Sequence, residues 1–411
     1  MTTAAPPKPV DHRELMKKVE RVVAAIDQTE DLCDTVHSSV DRLLAEFRDE
    51  LGLFAGRLYR RQGPDYVLDR TFGRPAASPL GLTLPRNYPP VELVLERGAV
   101  YMDRDDPRTD PELERRLGVE EFVAIEVGDG DYLLAFDVAP GHDRDDVLFS
   151  LGILRHTVNQ KLRQERIAGV FNEARKIQLS ILPRRSPEYA GFDIAGRNEP
   201  MASVGGDTYD YIRISSKILG VAIADVSGHG LPAALQVRDV YMGLRMGLAR
   251  DYKIVRTVER LNAIIHQSTL TSRFVSMFYG ELEPNGNFIY VNAGHVWPFH
   301  LSAGGEVRFL KEGGPVLGPL REAEYERGFL RIEPGDLVVL YTDGVTETLS
   351  DAAPGEDPEE YGVDRLVALC RERRTQPAAE LVAAILDQVK TFSGDRPVAD
   401  DRTVVVIRRP E

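Results

Sequence analysis

The sequence predicts an α+β protein in two parts joined by a long helix, and three observations carry that prediction. Short strand-like runs bounded by Gly, Pro and Asp alternate with helical stretches up to about residue 146. One uninterrupted helical pattern then runs from 147 to its stop at Pro183. From Gly191 onward, apolar strand-like runs repeatedly meet aspartates at their ends. A chain of 411 residues, 43% hydrophobic and 28% charged, is long enough for separate cores. Its formal net charge of −14 argues against nucleic acid or an anionic membrane as the main partner and suits cation binding. Cys33 and Cys370 lie far apart in helical patterns, which excludes a disulfide framework or a thiolate metal site and favours a reducing, cytoplasmic setting. No signal peptide and no membrane-length apolar run is evident, so a soluble protein is expected.

Taken in order, residues 1–24 read as an Ala/Thr/Pro-rich tail entering a helix near Asp11, and the helical pattern continues to about Glu50. Gly56–Tyr59 and Tyr66–Leu68 flank a Gln62-Gly63-Pro64-Asp65 turn as a hairpin, with further strands at Ala124–Val127 and Tyr132–Phe136. The helical run 147–183 would span about 50 Å at 1.5 Å per residue. Leu151, Leu154, Val158, Val170, Ala174, Ile177 and Ile181 step along it by threes and fours, as a coiled-coil seam does. That spacing suits either a dimer-forming helix or one packed on its own domain; the dimer is expected, with Ala174, Ile177, Gln178 and Ile181 as regulatory positions. Beyond it, strands are expected at 192–197, 276–282, 287–292, 336–341 and 404–407, and helices at 233–248 and 257–267.

The chemistry sits where strands end. Leu219–Ala224 runs into Asp225-Val226-Ser227-Gly228-His229-Gly230; Gly205-Gly206 precedes Asp207; Leu337–Tyr341 delivers Thr342-Asp343-Gly344; and Asp400-Asp401 opens the last strand. A single Asp-Gly is most simply a turn, but four such motifs at the mouths of core strands point to converging carboxylates. Carboxylates gathered together repel and suppress one another's acidity unless a cation holds them. Hard oxygen donors without nearby Cys, and with little His, select Mg²⁺ or Mn²⁺. Two such ions could acidify a shared water and present hydroxide to phosphorus.

Ala174–Pro183, Val204–Asp207, Ala224–Gly230, Asn292-Ala293-Gly294-His295, Tyr341–Glu347 and Asp400–Thr403, in this order, resemble the motif set of the bacterial metal-dependent protein phosphatases. The branch is that of the stage II sporulation protein E and RsbU stress-response phosphatases. The resemblance covers about 170–411 and implies an α-β-β-α sandwich over 184–411, with two divalent cations, Mn²⁺ or Mg²⁺. It implies that Asp225 bridges both ions, that the carbonyl of Val226 is a further ligand, and that Asp207, Asp343 and either Asp400 or Asp401 complete the shells, with Asp400 preferred. Asp207, Asp225 and Asp343 are then the catalytic set, Gly206 and Gly228 serve geometry, and His229 is a turn residue or a support behind the ligands in preference to a ligand. Thr208 stands where the family carries an aromatic, and Arg197 is a candidate for holding phosphate. The pattern over roughly 25–160 resembles a GAF sensor domain, drawn here at 25–146. The implied substrate is a phosphoserine or phosphothreonine on an anti-sigma-factor antagonist, bound by a homodimer that takes a small-molecule or protein input at the GAF-like domain. Trp297 and the loop 350–360 are candidate substrate contacts. An inactive phosphatase that signals by conformation, or a small-molecule phosphatase, would carry the same acids.

Overall fold

The computed structural model describes residues 47–48, 51–73, 80–202, 204–228, 230–248, 253–268, 274–351 and 357–411. The helix expected from Asp11, Cys33 and His229 lie outside the described residues. The chain divides into two compact units, 1–169 and 170–411.

In the first unit, β1 (Leu53–Gln62) and β2 (Asp65–Gly73) form the expected hairpin, with Gln62 opposite Asp65 across the Gly63-Pro64 turn. There follow β3 (Thr83–Leu84), α1 (Pro89–Arg97), β4 (Ala99–Met102), α2 (Pro111–Leu117), β5 (Phe122–Val127) and β6 (Tyr132–Val138). Proline opens both helices, where its missing N–H costs nothing, and Asp110 caps α2 by accepting from the amides of Glu112 and Leu113. The strands make one antiparallel sheet in the order β3-β2-β1-β6-β5-β4. Arg57 is buried in a two-pronged pair with Asp137, at 2.5 and 3.0 Å, and also donates to the Leu117 carbonyl. The pair satisfies a guanidinium that would otherwise be stranded under the sheet.

The helix α3 (Arg144–Ile181) corrects one expectation. Leu151, Leu154 and Val158 do not form a seam for a partner: with Val147 and Leu162 they are at most 2% exposed and pack against Leu58, Val123, Ile125 and Phe136 of the sheet. An amphipathic stripe beside an uncovered sheet face buries most apolar area by lying on it, and periodicity alone does not say which surface will take it. Farther along, Ile167, Val170 and Ile177 are exposed.

The second unit has four layers. β7 (Asp193–Glu199) is followed by β8 (Asp207–Ser215) and β9 (Ile218–Val226), then α4 (Leu231–Leu248) and α5 (Ile254–Gln267). Next come β10 (Val275–Leu282), β11 (Asn287–Ala293), β12 (Phe299–Leu301), β13 (Val307–Phe309), β14 (Gly313–Gly314), β15 (Gly328–Arg331) and β16 (Leu337–Tyr341). The short α6 (Asp343–Thr346), α7 (Gly362–Glu372), α8 (Ala378–Ser393) and β17 (Arg402–Arg408) complete it. One sheet runs β14-β11-β10-β9-β8, with β15 beside β11; the other runs β13-β12-β16-β17-β7.

Alternation along the strands builds the layers. Ile223 and Phe278 of the first sheet meet Val338, Leu340, Val405 and Ile407 of the second between the sheets. Ala222 and Ala224 face Val237 and Leu261 of α4 and α5 on one side, while Val404 and Val406 face Leu366 and Ile385 of α7 and α8 on the other. Among the described residues, no helix is long and apolar enough to cross a membrane.

Candidate metal centre

The β8–β9 hairpin builds the site first. Its antiparallel register sets Asp207, the first residue of β8, directly opposite Asp225, the penultimate residue of β9. Two unpaired acids in one cross-strand pair would normally be selected against. The approach to Asp207 must also be glycine: a Cβ on Gly206 would stand 2.6 Å from the Val226 carbonyl oxygen and 3.4 Å from Asp225 Oδ1, and one on Gly205 would stand 2.1 Å from Asp401 Oδ2. The pair of glycines therefore lets the backbone lie against the acids without filling the space beside the Val226 carbonyl.

The second sheet supplies the rest. β16 ends at Tyr341, so Thr342 and Asp343 emerge at its mouth, and Asp343 opens α6 rather than a plain turn. Asp207 Oδ2 accepts from Thr342 Oγ1 at 2.7 Å and from Thr403 Oγ1 at 2.6 Å, a cross-sheet clamp on one carboxylate oxygen. Thr403 is in turn held by Asn198 Nδ2 at 2.8 Å, and its amide donates to Thr342 Oγ1. Asp401, 5% exposed, accepts from the amides of Met201 at 2.7 Å, Gly206 at 2.6 Å and Asp207 at 3.3 Å. Of the adjacent acids, Asp401 is thus consumed in fixing the Gly205-Gly206 loop, while Asp400 is exposed at the site's edge.

Electrostatics show that the carboxylates sense one another. Burial, then Asp225, push the Asp207 carboxyl well above its ordinary range, with the threonine hydroxyls opposing. Asp225 is pushed up to about 7 by burial and by Asp343, Asp400 and Asp401. Glu347 is raised by burial and by Asp343, Glu360 and Asp400. Among the described residues, no three acidic, His or Cys side chains are already drawn into a closed ligand cage. The donor set of crowded carboxylates and a backbone carbonyl fits hard divalent cations, which would remove the repulsion that raises these acids.

His295 braces the site and does not line it. It is 3% exposed, its Nδ1 lies 2.8 Å from Ser276 Oγ and its Nε2 lies 3.1 Å from the Tyr341 carbonyl. Burial lowers it to about 4, so the neutral ring ties β10 to the residue just before Thr342-Asp343.

Of the other positions singled out in the sequence, Gln178 is buried and makes a reciprocal pair with Gly205: Nε2 donates to the carbonyl at 2.7 Å, and the Gly205 amide donates to Oε1 at 3.1 Å. Ile177 is exposed, Ala174 is half-buried, and Ile181 is half-buried against the core beneath α4 and α5. Arg197 is paired with Glu199 at 2.7 Å. Trp297 is 51% exposed, with Lys311 Nζ 3.9 Å from its ring centre; both line a groove of about 530 Å³ with Tyr341, Thr346, Val363 and Asp364. Residues 352–356 of the 350–360 loop lie outside the described residues. Thr342, Thr403 and Asn198 were not among the expected site residues, although each threonine stands one or two places from an acid in its motif.

Residues 215–410 match the family model described as Stage II sporulation protein E (SpoIIE). Over 268 residues the chain is 29% identical to the phosphoserine phosphatase RsbU of Bacillus subtilis (strain 168), covering 64% of this chain and 77% of that protein. It is 29% identical over 265 residues to Protein IcfG of a Synechocystis strain, covering 55% of this chain and 41% of that one. Among solved structures, the SiaA-PP2C domain of Pseudomonas aeruginosa aligns with a TM-score of 0.53 and 22% identity, covering 60% of this chain and 98% of that one. Residues 215–410 are thus similar to the SpoIIE family and the chain to RsbU, while the likeness to the SiaA-PP2C domain is one of fold.

Proposed function

We propose, from the similarity to the SpoIIE family and to RsbU, that the chain is a Mg²⁺/Mn²⁺-dependent protein serine/threonine phosphatase. The observation that carries this reading is the Asp207–Asp225 cross-strand pair, whose mutual repulsion is held in place by the threonine clamp and the Asp401 cradle. Asp225, Asp207, Asp343, Asp400 and the Val226 carbonyl would hold two divalent cations. When bound, such ions supply Lewis-acid polarisation of a phosphoryl oxygen and an acidified water for attack. The chain's own residues keep the acids aimed. Thr342 and Thr403 orient Asp207, Asp401 fixes the loop before it, and the neutral His295 holds the strand end that presents Asp343.

Substrate choice must come from surface outside the reacting centre. The Trp297–Lys311 groove borders Tyr341 and Thr346, which flank Asp343, and it suits a folded phosphoprotein met by shape and apolar contact. The similarity to the phosphoserine phosphatase RsbU favours a phosphoserine substrate, and the resemblance of the motif set extends the reading to phosphothreonine and to an anti-sigma-factor antagonist as the carrier. Input would enter at the first unit, read here as a GAF-like sensor. Its sheet, α1 and α2 enclose a mainly apolar cavity of about 40 Å³ lined by Tyr59, Val94, Leu133 and Glu114. The exposed Ile167, Val170 and Ile177 would pair two copies through α3, and Gln178 would carry that state to Gly205.

The test is turnover of p-nitrophenyl phosphate with and without Mn²⁺, in wild type and Asp225→Asn. Mn²⁺-dependent hydrolysis that disappears in the folded variant is expected; wild-type rates in Asp225→Asn would overturn the site. Comparing a phosphorylated antagonist-type protein, a short phosphopeptide and a nucleotide monophosphate tests the substrate class, and the protein should give the highest kcat/KM. Equal efficiency on all three would favour a small-molecule phosphatase.

A further inference from the structure

Strand alternation separates Arg402 from its neighbours. Asp401 reaches the Gly206 amide and Thr403 reaches Asp207, whereas Arg402 shares its face of β17 with Val404 and Val406, which pack in the helical layer. The side chain is only 4% exposed, yet its Nε–H has no hydrogen-bond partner among the described residues. A buried guanidinium with an orphan N–H is costly unless something completes it.

What it lines is a cavity of about 180 Å³ shared with Thr348, Ser393, Arg396, Glu347 and Asp400. This alcove therefore opens beside the carboxylates of the metal centre, with two guanidiniums facing two acids. If Asp400 is committed to a cation, the balance left in the alcove is positive. Arg197, the arginine suggested by sequence, is already neutralised by Glu199.

We propose that this alcove binds a phosphate oxyanion, with Arg402 as the buried charge that receives it and Arg396 as the outer one. A planar guanidinium presenting parallel N–H groups to a tetrahedral oxyanion is the chemistry the orphan Nε–H lacks. The assignment rests on the phosphatase reading only for the source of the phosphate, which is either the substrate's phosphoryl group or free inorganic phosphate.

The experiment is calorimetric titration of the full chain with inorganic phosphate in the presence of Mg²⁺, which reads binding whether or not the protein turns over. Arg402→Met should weaken phosphate binding about tenfold, and Arg402→Lys should recover part of it. Arg396→Ala, at an exposed position that does not threaten folding, should weaken it about threefold. Weaker binding in any folded variant supports the alcove; unchanged binding in every folded variant, or no phosphate binding to the wild type, overturns it. Inhibition of turnover by phosphate separates the sources. Competitive inhibition that Arg402→Met relieves identifies the substrate's phosphoryl group, and noncompetitive inhibition relieved in the same way identifies free phosphate.

Discussion

At the scale of single residues, the site's carboxylates should make the metal-free protein acid-loving. Asp225 is raised to about 7 and Asp207 is raised too, so between the ordinary carboxylate range and about pH 7 the folded state holds protons that the unfolded chain has released. Stability therefore falls as pH rises through that window. Thermal melts without divalent metal should show a higher Tm at pH 5.5 than at pH 8, and the Tm gain from Mn²⁺ should be larger at pH 8, where the acids are charged. A Tm gain independent of pH would mean that the ions do not bind at these acids. Thr403→Val makes a second test. The substitution keeps shape but removes a donor to Asp207 and an acceptor for Asn198, at a cost of about 1–3 kcal/mol. Loss of such an outer contact should also weaken Mn²⁺ binding by about 10–100-fold, read by calorimetry.

At the scale of elements, the Gln178–Gly205 pair ties the last turns of α3 to the loop that sets Asp207, and Gly205 in turn lies against Asp401. Gln178→Ala should raise the Mn²⁺ concentration for half-maximal activity about tenfold. Gln178→Glu should be no better, because it can accept from the Gly205 amide but cannot donate to its carbonyl. An unchanged Mn²⁺ dependence in both variants would leave the pair structural. The ends of these elements were legible in the sequence: apolar strands leading into Asp225 and Asp343, and glycines before Asp207, are local signals. Their mutual arrangement was not. The hydroxyls that grip Asp207 come from 135 and 196 residues away, and only the packing of two sheets brings them there. Asp400 and Asp401 differ for a similar reason, since only the fold brings the amides of Met201, Gly206 and Asp207 to Asp401 and leaves Asp400 at the rim. The first half of α3 misled because a stripe of Leu and Val reads alike whether it covers a sheet or another helix.

At the scale of the whole molecule, α3 begins in the first compact unit and ends in the second, and its middle is where the sequence pattern and the burial part company. Leu151 to Leu162 are consumed by the first unit's core, and Ile181 is half-buried in the second unit. Between them Ile167, Val170 and Ile177 are each more than half exposed, with the half-buried Ala174 completing steps of three, four and three along one helix face. Single exposed apolar residues need no explanation, but a row at heptad spacing is the pattern that pairs helices. A chain with net charge −14 would resist self-association through its general surface, so pairing has to be local to such a stripe. The full chain should sediment as a dimer, and Ile167→Asp with Ile177→Asp should shift it to monomer, because a carboxylate buried against its own symmetry mate is both desolvated and repelled. Neither side chain is in either unit's core, so the melting temperature of the variant extrapolated to low concentration should match that of the wild type. A dimer that survives both substitutions would place the interface elsewhere, and a wild-type monomer would remove dimerisation through α3 from the regulatory reading while leaving the metal centre untouched.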